Sequence, residues 1–180
     1  MDAATIITQT QKWIANVVVG CNFCPFAARE VKNNSIFYHV ATASDKEACL
    51  KTLATALEKL DSDSAIATSF VIIPNGFANF YDYLNLVELA EKLMDKLGYE
   101  GIYQVASFHP QYLFAGSSTT DAANYTNRSP YPMLHLLREE QMEQALENFT
   151  EPERIPERNI SFAQQKGLAY MKALWEKSFS

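Results

Sequence analysis

Short apolar segments that suit β-strands alternate along this chain with longer segments of helical period, and this alternation is the main constraint on its fold. The strand patterns cover Ser35–Ala41, Ile66–Ile73 and Gly101–Phe108. Between them lie two amphipathic helical patterns, the first beginning at Ser44 and the second running from about Phe80 to Leu97. Strand–helix–strand units with short links are typical of a parallel sheet with right-handed crossovers.

Three more helices are predicted outside this central region. The first covers Thr5–Val19, the second begins near Pro132 and ends at about Asn148, and the third covers Ile160–Lys177. Proline is favoured at the first position of a helix, which supports the start near Pro132. The sequence therefore predicts one domain over residues 1–180, with an α/β (or α+β) fold: a small three-stranded, mainly parallel sheet packed by four or five helices. A ferredoxin-like antiparallel arrangement is the alternative.

Charge and cysteine content narrow the range of partners. The chain of 180 residues carries 15 Lys and Arg against 21 Asp and Glu, a net charge of −6, without a basic run, so we expect no nucleic-acid partner. The apolar stretches are broken by Pro, Asn or Gly, so we expect no membrane partner. Three cysteines are an odd number, which favours a reducing compartment. With no basic segment at its N-terminus, the protein is predicted to be cytoplasmic.

One long segment, from His109 to Ser129, has neither a helical nor a strand period. A compact domain seldom keeps a segment of this length without a functional use. Ligands gather beyond the carboxyl ends of parallel strands, so we expect a cleft after the third strand that this segment closes. Its hydrogen-bonding side chains include those of His109, Asp121, Asn124, Asn127, Arg128 and Ser129.

The predicted helix after this segment offers a means of binding an anion. Free amides at a helix N-terminus attract anions, and residues 127–129 come just before that end. His135 and Arg138 are three residues apart, so on a helix they share a face, and Arg138 would supply a second charge. In the alternative interpretation, Arg128 pairs with a surface carboxylate and Ser129 only caps the helix.

Four runs of sequence carry a resemblance to a known family. They are residues 24–27 (CPFA), 107–112 (SFHPQY), 124–139 (NYTNRSPYPMLHLLRE) and 155–159 (IPERN). Through these runs the chain resembles, over nearly its whole length, the bacterial domain-of-unknown-function family numbered 1415. The resemblance implies a stand-alone bacterial protein of about this size. It implies no particular activity, cofactor or catalytic residue.

Cys21 and Cys24 form a C-x-x-C pair, which is found in redox and zinc proteins. Here the pair follows a helix end instead of opening a helix, and the remaining Cys49 stands alone. By the resemblance Cys24 belongs to the family motif, whereas the family usually has an apolar residue at position 21. Taken singly, Cys24 is either a nucleophile with His109 or His135 as its base, or a small buried hydrophobe.

The same histidines are candidate metal ligands. Imidazole and carboxylate groups at His109, Asp121, His135 and Glu139 would suit zinc, iron or manganese, but no closely spaced pair such as H-x-x-x-H joins them. We therefore assign no metal ligand, and no motif identifies a cofactor.

Together these features favour a small enzyme that acts on a small anionic metabolite, by hydrolysis or group transfer, at a cleft formed by residues 109–139. His109 would be the acid/base and Cys24 the nucleophile. The predicted substrate-binding residues are Asp121, Asn124, Asn127, Arg128, Ser129, His135 and Arg138. One alternative is a non-enzymatic protein that binds or senses a small anion, and the other is a structural or assembly partner.

Overall fold

A mixed sheet organises residues 1–147 and 150–180, the part of the chain that the computed structural model describes. Within that part the sheet has four strands, in the order β1-β2-β4-β3. Strand β1 pairs with β2 in parallel, and β4 is antiparallel to both β2 and β3. The strands are β1 (Ile36–Val40), β2 (Thr68–Ile72), β3 (Tyr103–Phe108) and β4 (Met133–Arg138).

The fourth strand corrects the prediction of a three-stranded, mainly parallel sheet. We expected a helix from Pro132, but residues Met133–Arg138 form a central strand. A strand between two others is covered on both faces, so apolar residues occupy successive positions, and such a run imitates a helical face. The mixed α+β class fits. A mainly parallel sheet does not, because β4 is antiparallel to both of its neighbours, and the antiparallel ferredoxin-like alternative does not, because β1 and β2 are parallel neighbours.

The extended backbone already begins at Pro132, which the sequence pattern predicts as the start of a helix. The carbonyl of Pro132 accepts a hydrogen bond from the amide of Ile73 at 2.9 Å, which prolongs the pairing with β2. The helical segment begins only at Glu139. Its predicted end at Asn148 lies outside the described residues.

The helix at Ala27–Asn33 was not predicted, whereas the other helices and the first three strands lie where the sequence patterns place them and differ only in their ends. Asp45 caps the helix that we expected to begin at Ser44, because its carboxylate accepts from the Ala48 amide at 2.9 Å. Gly167, at φ +82°, divides the predicted last helix into two. The helices are α1 (Ala3–Trp13), α2 (Ala27–Asn33), α3 (Lys46–Ser62), α4 (Phe80–Lys96), α5 (Glu139–Leu146), α6 (Ile155–Lys166) and α7 (Leu168–Glu176). A π-helical stretch, Ile14–Val19, continues α1.

Two apolar cores lie on opposite faces of the sheet. Side chains alternate between the faces along each strand, so Val71 and Leu134 belong to one core and Phe70 and Met133 to the other. Helices α3 and α4 cover the first face, while α1, the π-helix, α6 and α7 pack on the second. None of the described helices has the length and apolarity needed to cross a bilayer.

Candidate functional site

A cavity of about 180 Å³ lies on the second face of the sheet, where the helices do not fill the space over the strands. All four strands contribute to its floor. The π-helix, the segment before α2, α2 itself and α5 form its walls. The residues that line it include Trp13, Ile14, Val18, Cys24, Arg29, Glu30, Thr68, Phe70, Ala106, Phe108, His135, Arg138 and Gln141.

The π-helix shapes one wall of the cavity. Its wider turn places Ile14 and Val18 against the open space, directly after Trp13 at the end of α1. The indole of Trp13 is held from two sides: its Nε1 donates to the carbonyl of Arg128 at 2.9 Å, and its ring meets that of Phe108 edge-on at 5.1 Å. Such π-helical segments frequently occur at functional sites.

A chain of hydrogen bonds fixes His135 on the cavity floor. Thr68 Oγ1 lies 2.6 Å from the carbonyl oxygen of Leu136 and 2.6 Å from His135 Nε2. A carbonyl only accepts, so the hydroxyl proton of Thr68 lies between its oxygen and Leu136. The second short contact then needs a proton on Nε2, which donates to Thr68. His135 is therefore the Nε2–H tautomer, and its Nδ1 carries the lone pair.

The surroundings of His135 keep its ring uncharged. The imidazole stacks on Phe70, with ring centroids 4.0 Å apart and planes at 4°. Burial lowers the pKa of His135 to about 3, because the charged form would lose its water without gaining a counter-charge. The ring is therefore neutral at pH 7, and it offers the cavity an acceptor.

Cys24 lies on the wall opposite the sheet and is half-buried. Burial raises the pKa of its thiol, the nearby carboxylate of Glu30 adds to that rise, and backbone amide donors at Phe26 and Ala27 offset it in part. Burial also raises the pKa of the Cys21 thiol, which lies in the second core. Both cysteines are free thiols. Within the described residues no group of three or more His, Cys, Asp or Glu is placed to hold a metal ion.

His109 lies on the other face of the sheet, away from the cavity. Its ring packs against Phe80 and Tyr83, with centroids 5.3 and 5.0 Å away. Nδ1 accepts from the amide of Gln111 at 2.9 Å, so Nε2 carries the proton and donates to the carbonyl of Phe77 at 2.8 Å. Burial lowers the pKa of His109. Both ring nitrogens are engaged with backbone groups, which suits a residue that braces its loop.

The polar side chains of the long segment also bond the segment itself. The Arg128 guanidinium donates to the carbonyls of Tyr112 and Thr119 and lies 4.6 Å from the Tyr125 ring. Asn124, fully buried, accepts from the amide of Phe114 at 2.9 Å and donates to a carbonyl. These contacts hold the segment folded against the sheet.

The other predicted binding residues have similar partners. Asp121 accepts from the Ala123 amide at 2.9 Å and caps a short 3-10 helix, Ala122–Thr126. Asn127 accepts from the hydroxyl of Thr126 at 2.9 Å. Ser129 is buried and donates to the carbonyl of Tyr131 at 2.6 Å. Because β4 replaces the predicted helix, residues 127–129 do not precede a helix N-terminus, and that premise of the anion site was wrong.

Arg138 reaches the cavity, but its donors point elsewhere. Nε and Nη2 donate to the carbonyl of Ile66, Nη2 also contacts the carbonyl of Leu60, and Nη1 donates to the Tyr103 hydroxyl at 3.1 Å. The predicted helix face shared by His135 and Arg138 does not exist, because both residues lie on β4. Arg138 thus ties β4 to the end of α3.

Helix starts at the ends of the parallel strands are capped by side chains. The carboxylate of Asp45 accepts a hydrogen bond from the amide of Ala48 in α3. Asn79 Oδ1 accepts hydrogen bonds from the amides of Tyr81 and Asp82 in α4, at 2.9 and 3.3 Å. The edge where we expected a ligand therefore uses its own side chains to bind these free amides.

Of the nine predicted site residues, the structure brings three to the cavity: Cys24, His135 and Arg138. Sequence reasoning missed Thr68, Phe70 and Trp13. Thr68 and Ser69 begin β2, whose other three residues are apolar, and these polar residues were the available signal.

A family model described as "Protein of unknown function (DUF1415)" matches residues 5–173. No curated protein and no solved structure matches the chain.

Proposed function

The chain belongs to the DUF1415 family, and we propose that it binds a small, mainly apolar molecule in the cavity between the sheet and the π-helix. The observation that carries this proposal is the cavity itself, an apolar space with one polar pair, His135 and Thr68, on its floor. Ligand sites have this composition in general: apolar walls and a few placed polar groups.

The apolar lining of the cavity is what favours a bound ligand. The cavity opens to solvent, so water reaches its apolar side chains. Removing apolar surface from water contributes about 25 cal/mol per Å². A ligand that fills the space recovers contacts that the chain itself does not make.

The protonation states favour binding over covalent chemistry. A cysteine attacks as its thiolate, but the pKa of Cys24 is raised, so the thiol is protonated at neutral pH. A base must take up a proton, whereas His135 has a pKa of about 3. The hydrolase or group-transfer activity, with Cys24 and His109 as its catalytic groups, stays a prediction.

The anionic ligand also stays a prediction. The guanidinium of Arg128 already donates to two carbonyls, and that of Arg138 to carbonyls and a hydroxyl. Arg29 at the cavity wall is ion-paired with Glu30 at 2.6 Å. An anionic ligand in the cavity would have to compete with Glu30 and these carbonyls for the guanidinium groups, whereas an apolar ligand does not.

Toluene tests this proposal, because it fills an apolar space without making hydrogen bonds. At ten times its Kd it should stabilise the fold by about 1.4 kcal/mol, which raises the Tm of a chain of this length by about 3–6 °C. Ala106→Leu extends a side chain from β3, opposite His135, into the cavity and should abolish the shift.

The matched control is Ala173→Leu, the same chemical change on an exposed position of α7. It should keep the full response to toluene. An equal shift in wild type and Ala106→Leu would show that toluene binds elsewhere, and the proposal would be wrong. The same Tm measurements with phosphate test the anionic alternative. Phosphate should not bind in the cavity, so it should raise the Tm of wild type and Ala106→Leu equally.

A further inference from the structure

One polar atom at the cavity floor lacks a partner. Among the described residues nothing hydrogen-bonds Nδ1 of His135, although the opposite nitrogen of the ring is tightly held. His39 Nε2, Trp175 Nε1 and Ser178 Oγ also lack a partner, but these atoms are fully buried, whereas Nδ1 of His135 is accessible. Because His135 lines the cavity, Nδ1 is accessible from the cavity.

The bonding on the far side of the ring decides what Nδ1 can do. The Thr68 hydroxyl donates its proton to the Leu136 carbonyl, so Nε2 of His135 must be protonated and donate to the Thr68 oxygen. Nδ1 is therefore an acceptor with a fixed direction, in the plane of a ring that Phe70 holds by stacking. A group that meets it has to be a hydrogen-bond donor.

From these observations we infer that the ligand is a neutral compound with one aromatic ring and one hydroxyl or ring N–H group, which donates to Nδ1 of His135. Phenols and indoles form this class. The inference rests on the proposed function, since it names the kind of molecule that the cavity takes.

The size and walls of the cavity support an aromatic ring. A cavity of 150 Å³ with apolar walls holds benzene, and this cavity measures about 180 Å³. The lining around the histidine is itself aromatic, with Phe70 and Phe108 on the floor and Trp13 beside them. Aromatic rings favour edge-to-face and offset contacts with one another, which a flat ligand can make here.

The ligand should be neutral and carry a single donor. The charge of Arg29 is balanced by the Glu30 carboxylate, which its Nε contacts, and Arg138 donates to backbone carbonyls. Thr68 has already used its proton, and a cysteine thiol bonds only weakly. A further polar group on a ligand would have to reach Gln141 or the Nη groups of Arg29 at the wall, or lose its water without a replacement partner.

Phenol and anisole separate the hydrogen bond from the shape, because anisole keeps the ring and oxygen and lacks the donor. Wild type should bind phenol about fivefold to tenfold more tightly than anisole, the value of one buried hydrogen bond. His135→Phe keeps a flat ring over Phe70 but no acceptor. In that variant the preference for phenol should vanish, while anisole still binds.

The free protein provides a readout that needs no ligand. Long-range ¹H–¹⁵N spectra of the histidine rings should show Nδ1 of His135 unprotonated, with a resonance that moves when phenol is added and stays in place with anisole. A proton on Nδ1 in the free protein would overturn the inference.

The affinities distinguish the two proposals. If toluene and anisole bind wild type and phenol is not preferred, the donor inference is wrong and the cavity proposal stands. If His135→Phe keeps the preference for phenol, His135 is not the acceptor and the inference is wrong. If none of the three compounds binds, both proposals are wrong.

Discussion

The neutral state of His135 makes the stability of this protein depend on pH in a way that one substitution removes. The folded chain holds the ring uncharged, with a pKa of about 3, while an unfolded chain protonates it near pH 6.5. Between those values the unfolded state binds more protons than the folded state. Stability is therefore complete above about pH 6.5 and falls as the pH falls towards 3.

The size of the effect follows from the two pKa values. Lowering the pH from 7 to 5 should cost wild type about 2 kcal/mol through His135 alone, since each pH unit below 6.5 costs about 1.36 kcal/mol. His135→Phe removes the titration but keeps a ring over Phe70. The pKa values of His39 and His109 are lowered too, but both histidines are present in wild type and variant, so their effect cancels in the comparison.

Urea denaturation at pH 7, 6 and 5 measures this difference. Wild type should lose about 2 kcal/mol more between pH 7 and 5 than His135→Phe does, with equal m-values for both proteins. Equal losses would mean that the ring takes up a proton in the folded state. A smaller loss in wild type would mean that the folded chain prefers the charged ring, and the description of the site would be wrong.

Three other substitutions, two of them with a matched control, test individual contacts. Tyr83→Phe should lower the free energy of unfolding by about 3 kcal/mol in urea denaturation, because the buried hydroxyl donates to the Met133 carbonyl and accepts from the Phe108 amide. Tyr81→Phe on the surface should change it by under about 0.5 kcal/mol. Arg128→Ala should lower stability by about 2 kcal/mol, and phosphate should raise the Tm of variant and wild type equally; a larger rise in wild type would restore the anion site. Gly76→Ala should lower the free energy of unfolding by about 2 kcal/mol more than Gly98→Ala. Both glycines have positive φ, but only at Gly76 would a new Cβ lie 2.7 Å from the Ser44 side chain, so equal losses would refute this clash.

The elements with a single buried face were predictable from the sequence. Helix α3 follows its leucine period, with Leu53, Leu57 and Leu60 buried as a helix would place them. The cap was misplaced by one residue, because Ser44 and Asp45 are both good caps and only the folded backbone selects between them. Boundaries of this kind depend on local geometry that a pattern does not contain.

Strand β4 shows where pattern reasoning fails. Met133, Leu134 and Leu136 are fully buried, because the strand has neighbours on both sides and cores on both faces. No alternation of polar and apolar residues remains to mark such a strand, and the preceding prolines suit an extended chain as well as a helix start. The error produced a predicted helix N-terminus, and the observed strand removes both that terminus and the reason to expect an anion beside Arg128.

The site residues illustrate a second limit. His109 and His135 look alike in sequence, each among apolar neighbours, but they lie on opposite faces of the sheet. In the folded chain both ring nitrogens of His109 hydrogen-bond to backbone groups. Only one nitrogen of His135 is bonded, and the other is accessible from the cavity. The distinction depends on Thr68, which is far away in the sequence and adjacent in the sheet.

The most direct test of the cavity proposal is to observe where an apolar ligand binds. With ¹³C-labelled protein and unlabelled toluene, isotope-filtered nuclear Overhauser spectra should show contacts from toluene to methyl groups of Ile14, Val18 and Ala106, which line the cavity. Leu53 in the opposite core should show none. Contacts confined to other residues, or none with toluene at its solubility limit, would contradict the claim that this cavity is a ligand site.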